Sequence, residues 1–220
     1  MTAAVVALAE KRVAGRTRDR IVDTARRLFN EQRYGKVTLA ALAGELGMAK
    51  GNLWYHFRDK PALLAAITEL FLERVADRAR REPEPHRAPE SYVAFLTMLA
   101  EEMRDFRFMY RDQADYGEHS DSLLARLPDI YDRVLAQFAA FFEGMRREGH
   151  LAVDEGRIES LALNAVLVLR YYLEFSRERG DPGATDAGAV GQAMAQHLTL
   201  FDDRLSPGAA RYLRAALGAG

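Results

Sequence analysis

The chain has 220 residues, 49 % hydrophobic and 29 % charged, enough for a packed core and unlike a disordered or membrane-embedded composition. It contains no cysteine, which excludes a disulfide framework, an iron–sulfur cluster, a thiolate zinc site and a cysteine nucleophile, and fits a reducing compartment. Net charge is −1, yet residues 1–61 carry 12 Lys and Arg against 6 Asp and Glu, while residues 62–220 carry 19 against 26.

The opening TAAVVALA is apolar but too short to span a bilayer, and its basic residues follow it instead of preceding it. Residues 1–15 therefore read as a flexible basic arm or a frayed helix start, rather than a signal peptide. Its Lys11 and Arg12, with Arg16 and Arg18 beyond it, either follow a phosphate backbone or form a solvated charged tail. A first helix starts near Arg16–Thr17, with Ile21, Ala25, Leu28 and Phe29 on one apolar stripe. Gly35 is expected to end it in left-handed backbone. Thr38 is a natural N-cap for a second helix, LAALAGEL, which Gly47 closes. A third, short helix covers about Ala49–Tyr55. Asp59 caps a fourth, with Pro61 in its first turn, running through Leu63, Leu64, Ile67, Leu70 and Phe71 to about Arg81.

EPEPHRAP, residues 82–89, holds three prolines and breaks the chain. Later helices are expected over 90–105, 107–117, 121–148, 155–179, 187–203 and 207–217. Strand signals are absent, so the fold class is all-α. The apolar stretch LALNAVLVL stops at Arg170, short of a membrane span. No linker separates the head from the body. The domain boundary is therefore placed inside the fourth helix, giving an arm at 1–15, a head at 16–61 and a body at 62–220.

The second and third helices form a recognisable unit. Leu39, Leu42, Ala43 and Leu46 face inward, and Ala43 and Gly47 are small where two helices cross. The turn Gly47-Met48-Ala49 is short, so the pair reads as a helix-turn-helix. On the third helix Ala49, Leu53 and Phe57 form the buried stripe. Lys50, Asn52, Trp54, Tyr55 and His56 are left outside. The alternative packs Trp54 and Tyr55 against the first and fourth helices, but one short helix cannot bury every side. Lys and Asn suit base edges, aromatic rings suit sugars or a thymine methyl, and Tyr and His can donate to phosphate. The basic head points the same way.

The stretch TLAALAGELGMAKGNLWYHFRDKPALLAAI resembles the DNA-binding head of the tetracycline-repressor (TetR) family. The resemblance covers about residues 16–70; beyond them only length and helical content agree. It implies that Thr38 caps the second helix and touches phosphate. It implies base or sugar contacts for Lys50, Asn52 and Trp54, and phosphate contacts for Tyr55 and His56. Lys60 matches a lysine that anchors phosphate, and Phe57 matches a core aromatic. Gly44 departs from the expected helix former, at a cost of about 1 kcal/mol. Gly51 and Asn52 stand at variable positions, so no operator sequence is implied.

For the whole chain the resemblance implies a ligand-responsive transcriptional regulator, in most of the family a repressor that binds a near-palindromic operator on double-stranded DNA as a dimer. It implies a helical C-terminal domain that binds an unknown small effector. Aromatic and Met residues make adaptable apolar walls, and the candidates are Phe95, Met98, Met103, Phe106, Tyr110, Phe138 and Phe142, with polar Asn164 and Arg170. The resemblance also implies a homodimer through residues 155–203. Small Ala187, Gly188, Ala189, Gly191, Ala193 and Ala195 would allow close helix approach there, with Leu198, Leu200 and Phe201 adding apolar area. Asp115 and His119 have ligand-like spacing, but Gly117 between them favours a hydrated turn. No cofactor, metal, membrane or catalytic residue is expected, and the expected location is cytoplasmic. No nucleophile motif, phosphate-cradling loop or HExxH motif points to an enzyme. The alternative is a helical small-molecule-binding protein without a DNA-regulatory role.

Overall fold

A computed structural model describes residues 3–180 and 188–218, with side chains from residue 15 onward apart from 113, 118, 122 and 177. Ala187, expected in the dimer face, lies outside the described residues. Among the described residues the regular structure is α-helix and short 3₁₀ turns, and extended backbone pairs in one isolated antiparallel bridge, Leu151 with Leu205. No helix among them is long and apolar enough to cross a membrane. The chain divides into two compact units, Met1–Leu72 with Asp105–Leu124, and Glu73–Arg104 with Ala125–Gly220.

In the first unit α1 spans Ala3–Gln32. The segment read as an arm or a frayed helix start is helical from Ala3. Residues 3–14 are mostly Ala, Val, Leu, Glu, Lys and Arg, and their strong helix formers let the helix continue upstream of Arg16. Ile21, Ala25, Leu28 and Phe29 are buried as one stripe. The left-handed residue that ends α1 is Arg33, with φ 75°, and not Gly35. Gly35 answers a different need: a Cβ there would lie 3.2 Å from Asp115 Oδ2. A 3₁₀ turn, Tyr34–Lys36, leads to α2 (Leu39–Glu45), α3 (Lys50–His56) and α4 (Lys60–Ala79). Asp59 caps α4, its Oδ1 accepting from Ala62 N at 2.8 Å. Leu63, Leu64, Ile67 and Phe71 are buried along α4, whereas Leu70 is exposed.

The last carbonyls of a helix have no partner within it. At the end of α1 they find partners on residues 105–112. Arg111 donates to Phe29 O at 2.9 Å and to Asn30 O at 3.0 Å, and Arg107 donates to Asn30 O at 2.9 Å. The Asn30 side chain donates to Asp105 O and accepts from Phe108 N. Asp112, whose side chain is wholly buried, accepts from Tyr34 N at 2.8 Å and pairs with Arg111 at 2.6 Å and Arg33 at 3.6 Å. Phe29 meets Phe108 and Tyr34 edge-on at 5.2 and 5.1 Å.

This clasp also explains why the expected helix over 107–117 is broken. It divides into α6 (Arg107–Arg111) and α7 (Gln113–Tyr116), with Asp112 between them. A 3₁₀ turn, Gly117–His119, and α8 (Asp121–Leu124) complete the unit. The expected helix over 121–148 is likewise split, because α9 restarts at Leu127 with Pro128 in its first turn.

The second unit contains the C-terminal part of α4, α5 (Ala88–Asp105, up to Arg104), α9 (Leu127–Arg147), α10 (Ile158–Arg179), α11 (Gly188–Leu198) and α12 (Pro207–Leu217). The expected helix over 155–179 opens as a 3₁₀ turn, Glu155–Arg157. The expected helix over 187–203 ends at Leu198 and is followed by a 3₁₀ turn, Asp202–Arg204. Glu148 receives the backbone N–H groups of His86 and Ala88 and so caps α5. A Cβ on Gly144 would lie 3.1 Å from Pro83 Cβ, so glycine lets the EPEP segment lie close on α9.

The core of this unit is an aromatic cluster. Phe95 lies 4.7 Å from Phe141 and 5.0 Å from Phe138, and Phe142 lies 5.1 Å from Phe201, centroid to centroid. Two polar groups sit inside it. Tyr92 Oη is hydrogen-bonded to His197 Nε2, while His197 Nδ1 has no partner. A buried ion pair, Arg78 Nε to Glu102 at 2.9 Å, is completed by Gln137, which accepts from Arg78 Nη1 and donates to Arg78 O.

Two outcomes follow from these buried polar groups. Asp112→Ala removes the carboxylate that balances Arg111 and leaves the buried Tyr34 N–H without a partner. It should lower stability by about 3 kcal/mol, read by urea denaturation. Burial pushes His197 down from 6.5 to about 3, so the folded state holds it neutral. The unfolded chain takes the proton first, and stability is lost as pH falls from about 6.5 towards about 3, by roughly 1.4 kcal/mol per pH unit. His197→Gln should flatten that slope by this amount between pH 6 and pH 4.

Candidate nucleic-acid interface

Local backbone chemistry sets the angle between α2 and α3. Thr38 Oγ1 accepts from Ala41 N at 3.1 Å and starts α2. At its other end Gly47 has φ 62°. Gly47 N donates to Gly44 O and Met48 N to Ala43 O. That pair of bonds closes the helix and needs a left-handed residue between them. Arg20 donates to Leu46 O at 3.2 Å, and Arg27 pairs with Glu45, so α1 holds α2 from the side.

On α3 Leu53 and Phe57 are buried, as expected, and the Arg18 guanidinium covers the Phe57 ring at 5.0 Å. Ala49, expected in the same stripe, is exposed. It is the N-cap residue, outside the helix, so its extended backbone breaks the helical spacing. Lys50, Gly51 and Asn52 are exposed, Trp54 is 61 % exposed and Tyr55 81 %. An added Cβ on Gly51 would meet nothing within 4 Å. His56 is half-buried, with its ring 5.3 Å from Tyr55. Thr38 is exposed at the start of α2.

Lys60 is placed differently from the others. It is half-buried, donates to Tyr34 O and lies 4.0 Å over the Tyr34 ring. Burial lowers its pKa. One of its three N–H donors is thus used inside the protein. Two basic side chains not singled out from sequence stand open at neighbouring turns: Lys36, before α2, and Arg58, whose side chain is 93 % exposed, before α4. Their position one turn from Thr38 and Lys60 was the available signal. Thr38, Lys50, Asn52, Trp54, Tyr55 and His56 belong to the two adjoining short helices α2 and α3 and their caps.

The expected effector residues are distributed over both units. Phe106 and Tyr110 lie in the first, edge-on to Phe71 at 5.5 and 5.7 Å. Phe95, Phe138 and Phe142 are fully buried against each other and Tyr92, as core. Met103 is buried and Met98 half-buried on α5. Arg170 is half-buried, with Nε 3.2 Å from Tyr131 Oη. Asn164 is exposed and lines a cavity of about 80 Å³. Asp115 lies against Gly35, and His119 Nδ1 is 3.1 Å from Tyr34 Oη. Among the described residues no group of three or more His, Asp or Glu is placed to hold a metal ion.

Known proteins place this geometry in a family. The tetR family of bacterial regulatory proteins matches residues 21–67, and the TetR family of bacterial transcriptional repressors matches residues 71–213. An HTH-type transcriptional repressor of Mycobacterium tuberculosis is 43 % identical over 75 residues, 34 % of this chain and 40 % of that protein. The match thus spans less than half of that relative. A TetR-family regulator from Marinobacter aquaeolei has the same fold, with a TM-score of 0.73 over 92 % of this chain and 97 % of that one, at 24 % identity. A gamma-butyrolactone receptor has a TM-score of 0.61 over 94 % and 97 %, at 19 % identity.

The two glycines of this region should respond oppositely to alanine. Gly47→Ala forces a Cβ into left-handed backbone and should cost about 1–2 kcal/mol. Gly51→Ala meets open space within a helix and should raise stability by up to about 1 kcal/mol. Thermal melts of the two variants measure both.

Proposed function

The chain belongs to the TetR family of bacterial transcriptional regulators, and on that premise we propose that it binds a near-palindromic operator as a homodimer and responds to a small effector. The observation that carries the DNA reading is the outer surface of α3. Trp54 and Tyr55 stand exposed side by side, with Lys50 and Asn52 a turn earlier. Large aromatics facing water on a short, rigid helix have no packing role. In this reading Lys50 and Asn52 address base edges, Trp54 packs on sugar or a thymine methyl, and Tyr55, His56 and Thr38 meet phosphates. Lys60 uses its remaining donors for phosphate, and Lys36 and Arg58 add positive charge beside it.

The dimer reading rests on α10. Leu163, Leu167, Tyr171 and Phe175 recur every four residues and are each about half exposed. Such a row on one helix is an uncovered apolar face. A second copy related by a twofold axis would cover it with the same row. The small residues of α11 contribute less than expected. Ala189 and Ala193 are buried within the protomer, as are Leu198 and Phe201, while Gly188 and Gly191 remain exposed and Ala195 partly so. A twofold dimer presents two copies of α3 to one face of DNA.

Regulation in this reading is a population shift. DNA favours one separation of the two heads and an effector in the helical body favours another. The helix α4 contributes to both units, so it is one of the covalent paths between them. The effector is a small molecule held in the second unit. A structurally similar receptor is named for gamma-butyrolactone, which supports a small-molecule role without identifying this ligand.

Selection of bound fragments from random DNA, followed by fluorescence anisotropy, tests the reading. Inverted repeats should be enriched; an absence of any preferred sequence at moderate salt would overturn it. Asn52→Ala should lose about 1–3 kcal/mol of discrimination at its base pair. Lys60→Ala should reduce the salt slope of binding by about 1 per head. Leu167→Asp should shift the sedimenting species from dimer to monomer.

A further inference from the structure

A cavity of about 80 Å³ opens on the second unit, lined by Val153, Arg157, Ser160, Leu161, Asn164, Leu200, Phe201 and Arg204. On this scale one water needs roughly 10–15 Å³, so the space suits a group of several heavy atoms. Its chemistry is asymmetric. Two arginines, a hydroxyl and an amide line it, and no acidic residue does. The remaining wall is apolar, and Phe201 is part of the buried aromatic core.

The frame around the two arginines is built from backbone bonds between segments far apart in the chain. Arg157 ends one 3₁₀ turn and Arg204 ends another. The segments carrying them are tied by the Leu151–Leu205 bridge, by Ala152 N to Arg204 O at 2.8 Å and by Ser206 N to His150 O at 2.9 Å. Arg157, Ser160, Leu161 and Asn164 follow at helical spacing, so they share one face at the start of α10. Three of the neighbouring acids are engaged elsewhere or weakly. Asp202 pairs with Arg214 at 2.9 Å and Glu155 approaches Arg146 at 4.0 Å. Asp203 reaches Arg204 only at 3.8 Å. Among the described residues no side chain pairs with Arg157.

We propose that this cavity binds a small oxyanion, a carboxylate or phosphate group, between Arg157 and Arg204, with Ser160 and Asn164 as further hydrogen-bond partners. Planar guanidinium groups match both oxyanions. An unpaired arginine beside a second one raises the local positive potential that an anion would neutralise. The apolar wall formed by Val153, Leu161 and Leu200 would take a short hydrocarbon chain if the anion is the carboxylate of an organic acid. The site lies wholly within the second unit and is assembled from different residues than the DNA surface, so it stands or falls separately from the operator reading.

The test is a thermal-shift titration of the full chain with sodium phosphate and, separately, with sodium butyrate, each against sodium chloride at equal ionic strength. A saturable rise beyond chloride is expected with at least one. Arg157→Gln and Arg204→Gln should each raise the half-saturation concentration by about tenfold, the loss of one charge-assisted hydrogen bond. Arg74→Gln, which removes an exposed charge outside the cavity, should leave it unchanged. Arg157 is exposed and unpaired, so its variant keeps a folded reference if Arg204→Gln does not. Saturation by phosphate alone assigns the site to phosphate, and by butyrate alone to a carboxylate; either upholds the proposal, as does saturation by both. No saturable rise with either salt, or an unaltered midpoint in Arg157→Gln, overturns it.

Discussion

A helix that ends inside a protein must find partners for its last carbonyls, and the end of α1 depends on that constraint more than any other point in this chain. Phe29 O and Asn30 O are taken by Arg107 and Arg111. The buried Asp112 carboxylate then balances Arg111 and receives Tyr34 N. The 3₁₀ turn that starts at Tyr34 leads directly into the capped start of α2. The position of the helix-turn-helix therefore rests on residues more than seventy places later in the chain. This is why residues 105–124 belong to the same compact unit as the head.

The surface of α3 follows from that anchoring. Arg20 and Arg27 pin α2 to α1, Gly47 supplies the left-handed turn, and Leu53 and Phe57 fill the interior. Once those two are buried, helical geometry forces Trp54 and Tyr55 outward. Their exposure is not chance mobility but a consequence of a short helix with one buried stripe. A rigid platform of this kind suits a task in which a small misplacement of a base-contacting side chain is costly.

The second unit is organised around buried polarity as well as buried rings. Arg78, Glu102 and Gln137 satisfy one another, whereas His197 has Tyr92 on one nitrogen and nothing on the other. Such groups are held only because the surrounding packing is tight. The aromatic residues around them fill space as a core. That leaves the polar cavity at the start of α10 as a place where charge, volume and a fixed frame coincide.

Much of the head was legible in the residues alone. The apolar stripe of α1, the Thr38 and Asp59 caps, the Gly47 turn, the buried Leu53 and Phe57 and the outward Trp54 and Tyr55 all depend on neighbours within a turn or two, where period and cap chemistry decide. Tertiary structure decided the rest. Arg33 rather than Gly35 took the left-handed angle, because α1 ends at Gln32, and Gly35 lies against Asp115 instead. The helix expected over 107–117 broke because Asp112 was drawn to Tyr34 and Arg111. Lys60 turned towards Tyr34, Phe95, Phe138 and Phe142 packed against one another, and Phe106 and Tyr110 packed on Phe71. Each of these outcomes joins residues distant along the chain, and a one-dimensional pattern carries no record of which distant group will satisfy a buried donor, fill a gap or claim a charge.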